Sequence, residues 1–213
     1  MKRLIYLLIF FPLIISAQNN KFVRTYGLKG YNYGEKAIQT KDNGYLLLGN
    51  KTGFMGNTDV YIVKINSTGK IVWDKAFGDT QINWAEDFIQ TSDKAYMITG
   101  YTTSGENNDY DILIMKIDTS GNLLWKKNYG GEKWDLGHSI TETLDKGFLI
   151  SGETYSEGNG NNDILLLKIN SNGDSIWNKS YGGTLHDAAH DITRCQDSSY
   201  LITGYTNSYG NGA

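Results

Sequence analysis

Residues 163–177 read DILLLKINSNGDSIW, and the same phrase stands at 111–125 as DILIMKIDTSGNLLW and at 59–73 as DVYIVKINSTGKIVW. The copies begin 52 residues apart, each on an aspartate (Asp59, Asp111, Asp163), and each runs through four apolar or aromatic residues to Lys64, Lys116 or Lys168. A strand sends successive side chains to opposite faces, so an unbroken apolar run is a strand covered on both sides. Asn66, Asp118 and Asn170 can then start a turn by accepting a backbone N–H two residues on. Gly69, Gly121 and Gly173 supply the positive φ that closes it. Each phrase ends on a tryptophan of the outgoing strand, Trp73, Trp125 or Trp177, where a large ring can wedge against the neighbouring copy.

Other columns keep the same register. Gly49, Gly100, Gly152 and Gly204 are spaced 51, 52 and 52, as are Asp42, Asp93, Asp145 and Asp197, and the aromatic–glycine pairs beginning at Tyr26, Phe77, Tyr129 and Tyr181 follow the same steps. The third copy divides into four strands: a near His138–Thr143, b over Phe148–Thr154, c over Asp163–Asn170 and d over Ser175–Tyr181. Glycine and aspartate mark the turns between them. A two-layer sandwich wets one face of each sheet and gives clean alternation. Strand c, apolar on both faces, needs a sheet on either side, and radially packed four-stranded blades supply them. The fold class is therefore all-β, a β-propeller of blades of about 52 residues. Blades are expected over 28–78, 79–130 and 131–182, with strands a and b of a fourth over 183–213 and an orphan strand d over 18–27, where Phe22 takes the tryptophan position. That is an incomplete arc of about three and a half blades where propellers use four to eight, so a fragment of a longer product is expected, the alternative being a small closed ring.

Tyr129-Gly130-Gly131, the turn Asp145-Lys146-Gly147, Gly100-Tyr101-Thr102 and the strand Asp163–Lys168 together resemble the secreted bacterial β-propeller repeat. The hairpins, Asn66–Trp73 above all, are similar to the tryptophan-docking motif of quinoprotein propellers and more loosely to sialidase-type Asp boxes. These resemblances imply the fold strongly and an activity hardly at all.

The chain opens on Met1-Lys2-Arg3, an apolar run from Leu4 to Ile15, and the small residues Ser16 and Ala17. That is the layout of a secretory signal peptide over 1–17, with a single anchoring helix as the alternative. Export is expected, to the periplasm, the outer cell surface or the medium, with no stable membrane span after cleavage. Cys195 is the single cysteine, so no disulfide forms within the chain and burial alone must hold it. A net charge of −3 without a basic stripe argues against nucleic acid.

Candidate ligand groups lie in the loops from strand d into strand a. Asn32, Asn83, Asp135 and Asp187 form one column and Glu35, Glu86, His138 and His190 another, three residues on. In a propeller these loops gather near the axis, as a ring of acids and imidazoles or as loop caps. Tyr31, Tyr33, Trp84 and Trp134 fall in the same loops and either stack on a ligand or pack over the blade edge. His186, Asp187 and His190 invite a zinc reading, but two histidines four apart share a face only on a helix. No cofactor is expected; calcium is the one ion the oxygen-rich loops around Asp109, Asp111 and Asp163 could hold, and turn capping explains those aspartates equally. There is no Gly-x-Ser-x-Gly elbow and no phosphate-binding motif. The expectation is a non-catalytic surface scaffold or binding module for an extracellular protein or glycan, the alternative being a propeller enzyme of quinoprotein or glycan-acting type.

Overall fold

The repeat folds as fourteen strands and no helix among the described residues, which in this computed structural model are 22–53, 56–103 and 109–210. Blade one comprises β1 (Tyr31–Gln39), β2 (Tyr45–Thr52), β3 (Thr58–Ile65) and β4 (Ile71–Phe77). Blade two comprises β5 (Asn83–Gln90), β6 (Tyr96–Thr102), β7 (Asp111–Ile117) and β8 (Leu123–Tyr129). Blade three comprises β9 (Asp135–Glu142), β10 (Phe148–Thr154), β11 (Asp163–Ile169) and β12 (Ser175–Tyr181), and β13 (Asp187–Arg194) pairs with β14 (Tyr200–Thr206) as a fourth, two-stranded sheet. Every blade is an antiparallel meander in chain order, and the whole is an incomplete β-propeller arc. Strand a of blade three starts at Asp135, three residues before the position expected from the sequence, because Asp135, Leu136 and Gly137 pair with Thr154, Glu153 and Gly152 of β10. Residues 1–21, with the expected signal peptide, lie outside the described residues. Phe22 to Leu28 belongs to no strand, so the expected orphan strand d has no sheet among the described residues.

The middle strands are dry on both faces. Leu113, Met115 and Ile117 of β7 pack with Leu46, Leu48, Val60 and Ile62 of blade one. The alternate residues Ile112 and Ile114 pack with Ile140, Phe148, Leu165 and Leu167 of blade three. A third cluster joins Tyr61, Val63 and Ile65 to Phe22 and Tyr26, and a fourth joins Leu149 and Leu166 to Ile192 and Ile202.

Two of the three tryptophans, Trp73 and Trp125, dock as expected, while Trp177 is exposed. Trp73 of blade one lies over the turn glycine of blade two, where a Cβ on Gly121 would come within 3.0 Å of the ring, and its Nε1 donates to the Thr119 carbonyl at 3.1 Å. Trp125 covers Gly173 in the same way, and Phe22 covers Gly69. At about 25 cal/mol per Å² of apolar area, hiding roughly 100 Å² of indole stabilises a junction by about 2.5 kcal/mol.

Two repeated columns turn out to be one interaction. The strand-c lysine crosses its sheet to the aspartate of the a–b turn: Lys64 to Asp42 at 2.8 Å, Lys116 to Asp93 at 2.8 Å and Lys168 to Asp145 at 2.9 Å. Lys64 and Lys168 are buried and also donate to Thr40 and Thr143. The glycines of strand b answer a second constraint. Strand a is bulged in every blade, and a Cβ on Gly49, Gly100, Gly152 or Gly204 would sit on the carbonyl oxygen of Tyr33, Trp84, Leu136 or Ala188.

Gly100→Ala is therefore expected to lower unfolding free energy by about 1–3 kcal/mol. Gly34→Ala, where an added Cβ meets nothing within 4 Å, should change it by less than about 0.5 kcal/mol; urea titration of both variants measures the contrast. Burial pushes the Asp93 carboxyl up, but bonds from Lys116 and Thr91 outweigh it and bring it down to about 2. Bonds from Thr143 and Lys168 bring Asp145 to about 2 as well. With unfolded aspartate near 3.9, the stability these pairs contribute is complete above about pH 5 and is lost as pH falls from about 4 toward 2. Denaturation midpoints should drop over that window, and more shallowly in a chain carrying Asp93→Asn and Asp145→Asn.

Candidate functional site

The residue forced out at each strand-a bulge is Glu35, Glu86, His138 or His190. A β-bulge leaves one residue unpaired and re-aims its side chain, and here it does so at one height in four neighbouring blades. Strands a lie side by side, and the bulged side chains meet across them. His138 and His190 have ring centroids 5.6 Å apart, His190 and Tyr205 5.6 Å, and His138 Nε2 stands 3.8 Å from Glu153 Oε1. Burial raises the Glu86 carboxyl; His138 opposes the rise, and the Glu35 and Asp87 carboxylates add to it. Burial and then Glu86 push the Tyr101 hydroxyl well above its ordinary value. His138 thus lies beside His190, and Glu86 within electrostatic reach of His138 and Glu35, along an open arc of strands a.

The aromatic residues of the loops join the same surface. Tyr33 meets Trp84 at 5.5 Å between centroids, Trp84 stacks on Tyr101 at 6.3 Å and 6°, and Tyr101 meets Tyr110 at 5.2 Å. Tyr110 then meets Trp134 at 5.2 Å, and Trp134 meets Tyr155 at 5.9 Å. This unbroken aromatic chain spans three blades. Tyr33, at one end, is 49% exposed, Trp134, next to the other end, is 46% exposed, and the terminal Tyr155 is half-buried. Tyr31, 72% exposed, stands outside it. Glu86 and Glu35 act on Tyr101, and Glu153 acts on Tyr155, so the charged column and the aromatic chain border one another.

In the Asn/Asp column Asn83, Asp135 and Asp187 are buried, and the exposed Asn32 bonds its own loop at Leu28. Asp135 accepts from Gly131 N at 2.8 Å and Ser156 Oγ at 2.7 Å; Asp187 accepts from Gly183 N at 2.9 Å and Ser208 Oγ at 2.6 Å. Both are buried and close their own loops. His186 faces Asn162 and Asn161 across the junction between blades three and four, bonding the first through Nδ1 and lying 3.2 Å from the second through Nε2. Asp59, Asp111 and Asp163 take the space left by the missing side chains of Gly78, Gly130 and Gly182, latching the start of strand c to the end of strand d. Burial, then Asp135 and Asp109, raises the Asp111 carboxyl. Among the described residues no three His, Cys, Asp or Glu side chains converge to hold a metal ion, and no helix is long and apolar enough to cross a membrane.

Two sets of polar contacts about the strands a have no counterpart in the sequence reading. Lys36, Asp87, Ser139 and Asp191 each directly follow a bulged residue and link blade to blade: Lys36 bonds Asp87, and Ser139 Oγ lies 2.9 Å from both Asp87 and Asp191. The buried Asn50 clasps the Ala85 backbone, donating to its carbonyl at 2.9 Å and accepting its N–H at 2.8 Å. The four linking residues share a column but are Lys, Asp, Ser and Asp, which is why repetition does not single them out.

Comparison with protein-family models and with curated proteins finds no match.

Because burial and neighbouring carboxylates hold Glu86 protonated to higher pH in the folded state, its ionisation opposes folding. The stability it contributes is full below about pH 4.3 and is lost as pH rises through the raised value. Glu86→Gln should be more stable than the parent at pH 7, with the difference closing in thermal melts below about pH 4.

Proposed function

We propose that this chain is a non-catalytic, exported binding module of the secreted bacterial β-propeller type, and that its axial face takes an extracellular glycan. The observation that supports it is the aromatic chain from Tyr33 to Tyr155 beside Glu86, His138 and Glu153. Aromatic faces supply apolar contact area at low entropic cost, and a few polar groups beside them fix orientation. A pyranose presents the matching partner, with C–H faces to stack and hydroxyls to bond carboxylates and imidazoles. The exported location rests on the basic, apolar and small-residue order of residues 1–17.

The test is a glycan array followed by calorimetry on each hit. Trp84→Ala and Trp134→Ala should each weaken binding by at least about 30-fold, the loss of one hot-spot aromatic, while the circular dichroism melt keeps its cooperativity. Turnover of a bound glycan, or binding indifferent to both substitutions, overturns the reading.

A further inference from the structure

Tryptophan occurs in two settings in this chain, and the charge beside it differs between them. Strand-d tryptophans carry a lysine of their own strand two residues on. Lys127 lies over the Trp125 ring, 5.9 Å from its centroid, and Lys179 over the Trp177 ring, 5.4 Å from its centroid. Trp84 and Trp134, the tryptophans of the axial face, have Glu86 and Leu136 at the same step. Among the described residues no lysine or arginine lies over a ring of the aromatic chain, Lys133 beside Trp134 included. The π face of an aromatic ring is its negative side and attracts a cation. The most exposed rings of the chain, Tyr33 and Trp134, present theirs with no cation of the protein's own upon them.

The groups that border these rings are acidic. Glu35 is exposed, and Glu86 and Glu153 are half-buried. Amides reach two of the three: Asn50 Nδ2 donates to Glu35 at 3.1 Å, and Asn162 Nδ2 donates to Glu153. Among the described residues no lysine or arginine pairs with any of them. The nearest lysine, Lys36, is taken by the buried Asp87, which also accepts from Ser139 Oγ at 2.9 Å and Ile140 N at 3.0 Å. His138 already faces Glu153. Burial opposes ionisation of Glu86; His138 favours it, and the Glu35 and Asp87 carboxylates oppose it further. A cation arriving beside Glu86 relieves that repulsion, so its binding and the ionisation of Glu86 favour one another.

We propose that the glycan taken by this face is an amino sugar polymer whose amines are free and protonated, the ammonium groups meeting the open aromatic faces and the carboxylates of Glu35, Glu86 and Glu153. The two attractions act on the same atom, since a cation over a ring gains most where a carboxylate stands within reach. The C–H faces of the sugar stack on the rings as they would in any glycan. An N-acetylated sugar offers the same faces and hydroxyls without the charge, and that charge is what the acidic border discriminates. This inference rests on the glycan reading and narrows it to one class of sugar.

The test is calorimetry with two chitooligosaccharide tetramers, one fully deacetylated and one fully N-acetylated, at about pH 6, where free amines and ordinary carboxylates are both charged. The deacetylated tetramer should bind at least about tenfold more tightly. Added salt should weaken its binding and spare that of the N-acetylated one. In a chain carrying Glu86→Gln and Glu153→Gln, still melting cooperatively, the two affinities should come to within about threefold, the share left to the rings. Equal affinities in the parent chain, both reduced by Trp84→Ala, overturn this inference and leave the glycan reading standing. A preference untouched by the two glutamine substitutions overturns it too. If neither tetramer binds, the inference falls, and the other sugars of the array decide the glycan reading on their own.

Discussion

A strand that is apolar on consecutive positions cannot stand at a wet surface, and this structure follows from that constraint. Residues 60–63, 112–115 and 164–167 each need cover on two sides. A single four-stranded meander offers none, so stability requires stacking, and stacking identical sheets by a constant rotation produces an arc. Leu113 and Ile114 are adjacent in sequence yet belong to different cores, one shared with blade one and the other with blade three. Each blade is thus stable only through its neighbours, as in repeat proteins whose energy is a sum of unit and interface terms.

The fixed columns of the repeat are contacts in which neither partner can change alone. Lysine in strand c and aspartate in the a–b turn are one ion pair, buried at the lysine end, where removing the aspartate would strand a charge. Aspartate at the head of strand c and glycine at the end of strand d are one steric fit, since any Cβ at Gly78, Gly130 or Gly182 would meet the carboxylate. Tryptophan and the turn glycine are another. Repetition exposes such positions because the same geometry recurs and admits the same residues each time.

That is why the blades were legible and the site was only partly so. Strands b and d of the third copy lie where the turn residues place them, at Phe148–Thr154 and Ser175–Tyr181, and strand c falls one residue short of its expected end, at Asp163–Ile169. The Glu/Glu/His/His column was visible, but the bulge that lifts it out of the sheet was not, because a one-residue insertion leaves no mark in a register that every copy shares. The expected strand at Phe22–Gly27 is a different case. Phe22 and Tyr26 keep their docking contacts on Gly69, but no adjacent strand is described there to carry the ladder. Asp135 and Asp187 had two readings in sequence, ligand and cap; their hydrogen bonds to Gly131, Ser156, Gly183 and Ser208 place them as caps.

The axis departs from the repetition, and the departure separates scaffold from chemistry. The strand-c lysine, the a–b turn aspartate and the strand-b glycine keep one residue type through their copies. The positions around the bulge do not: Glu35, Glu86, His138 and His190 in one column, Lys36, Asp87, Ser139 and Asp191 in the next, and Asn50, Tyr101, Glu153 and Tyr205 across from them. The bulge removes Glu35, Glu86, His138 and His190 from the ladder, while Lys36, Asp87, Ser139 and Asp191 stay paired in it. Lysine meets aspartate between blades, Lys36 to Asp87, and imidazole meets glutamate within blade three, His138 to Glu153. A surface that carries glutamate at two equivalent points and histidine at the other two has a polarity and an orientation that the fold alone does not need.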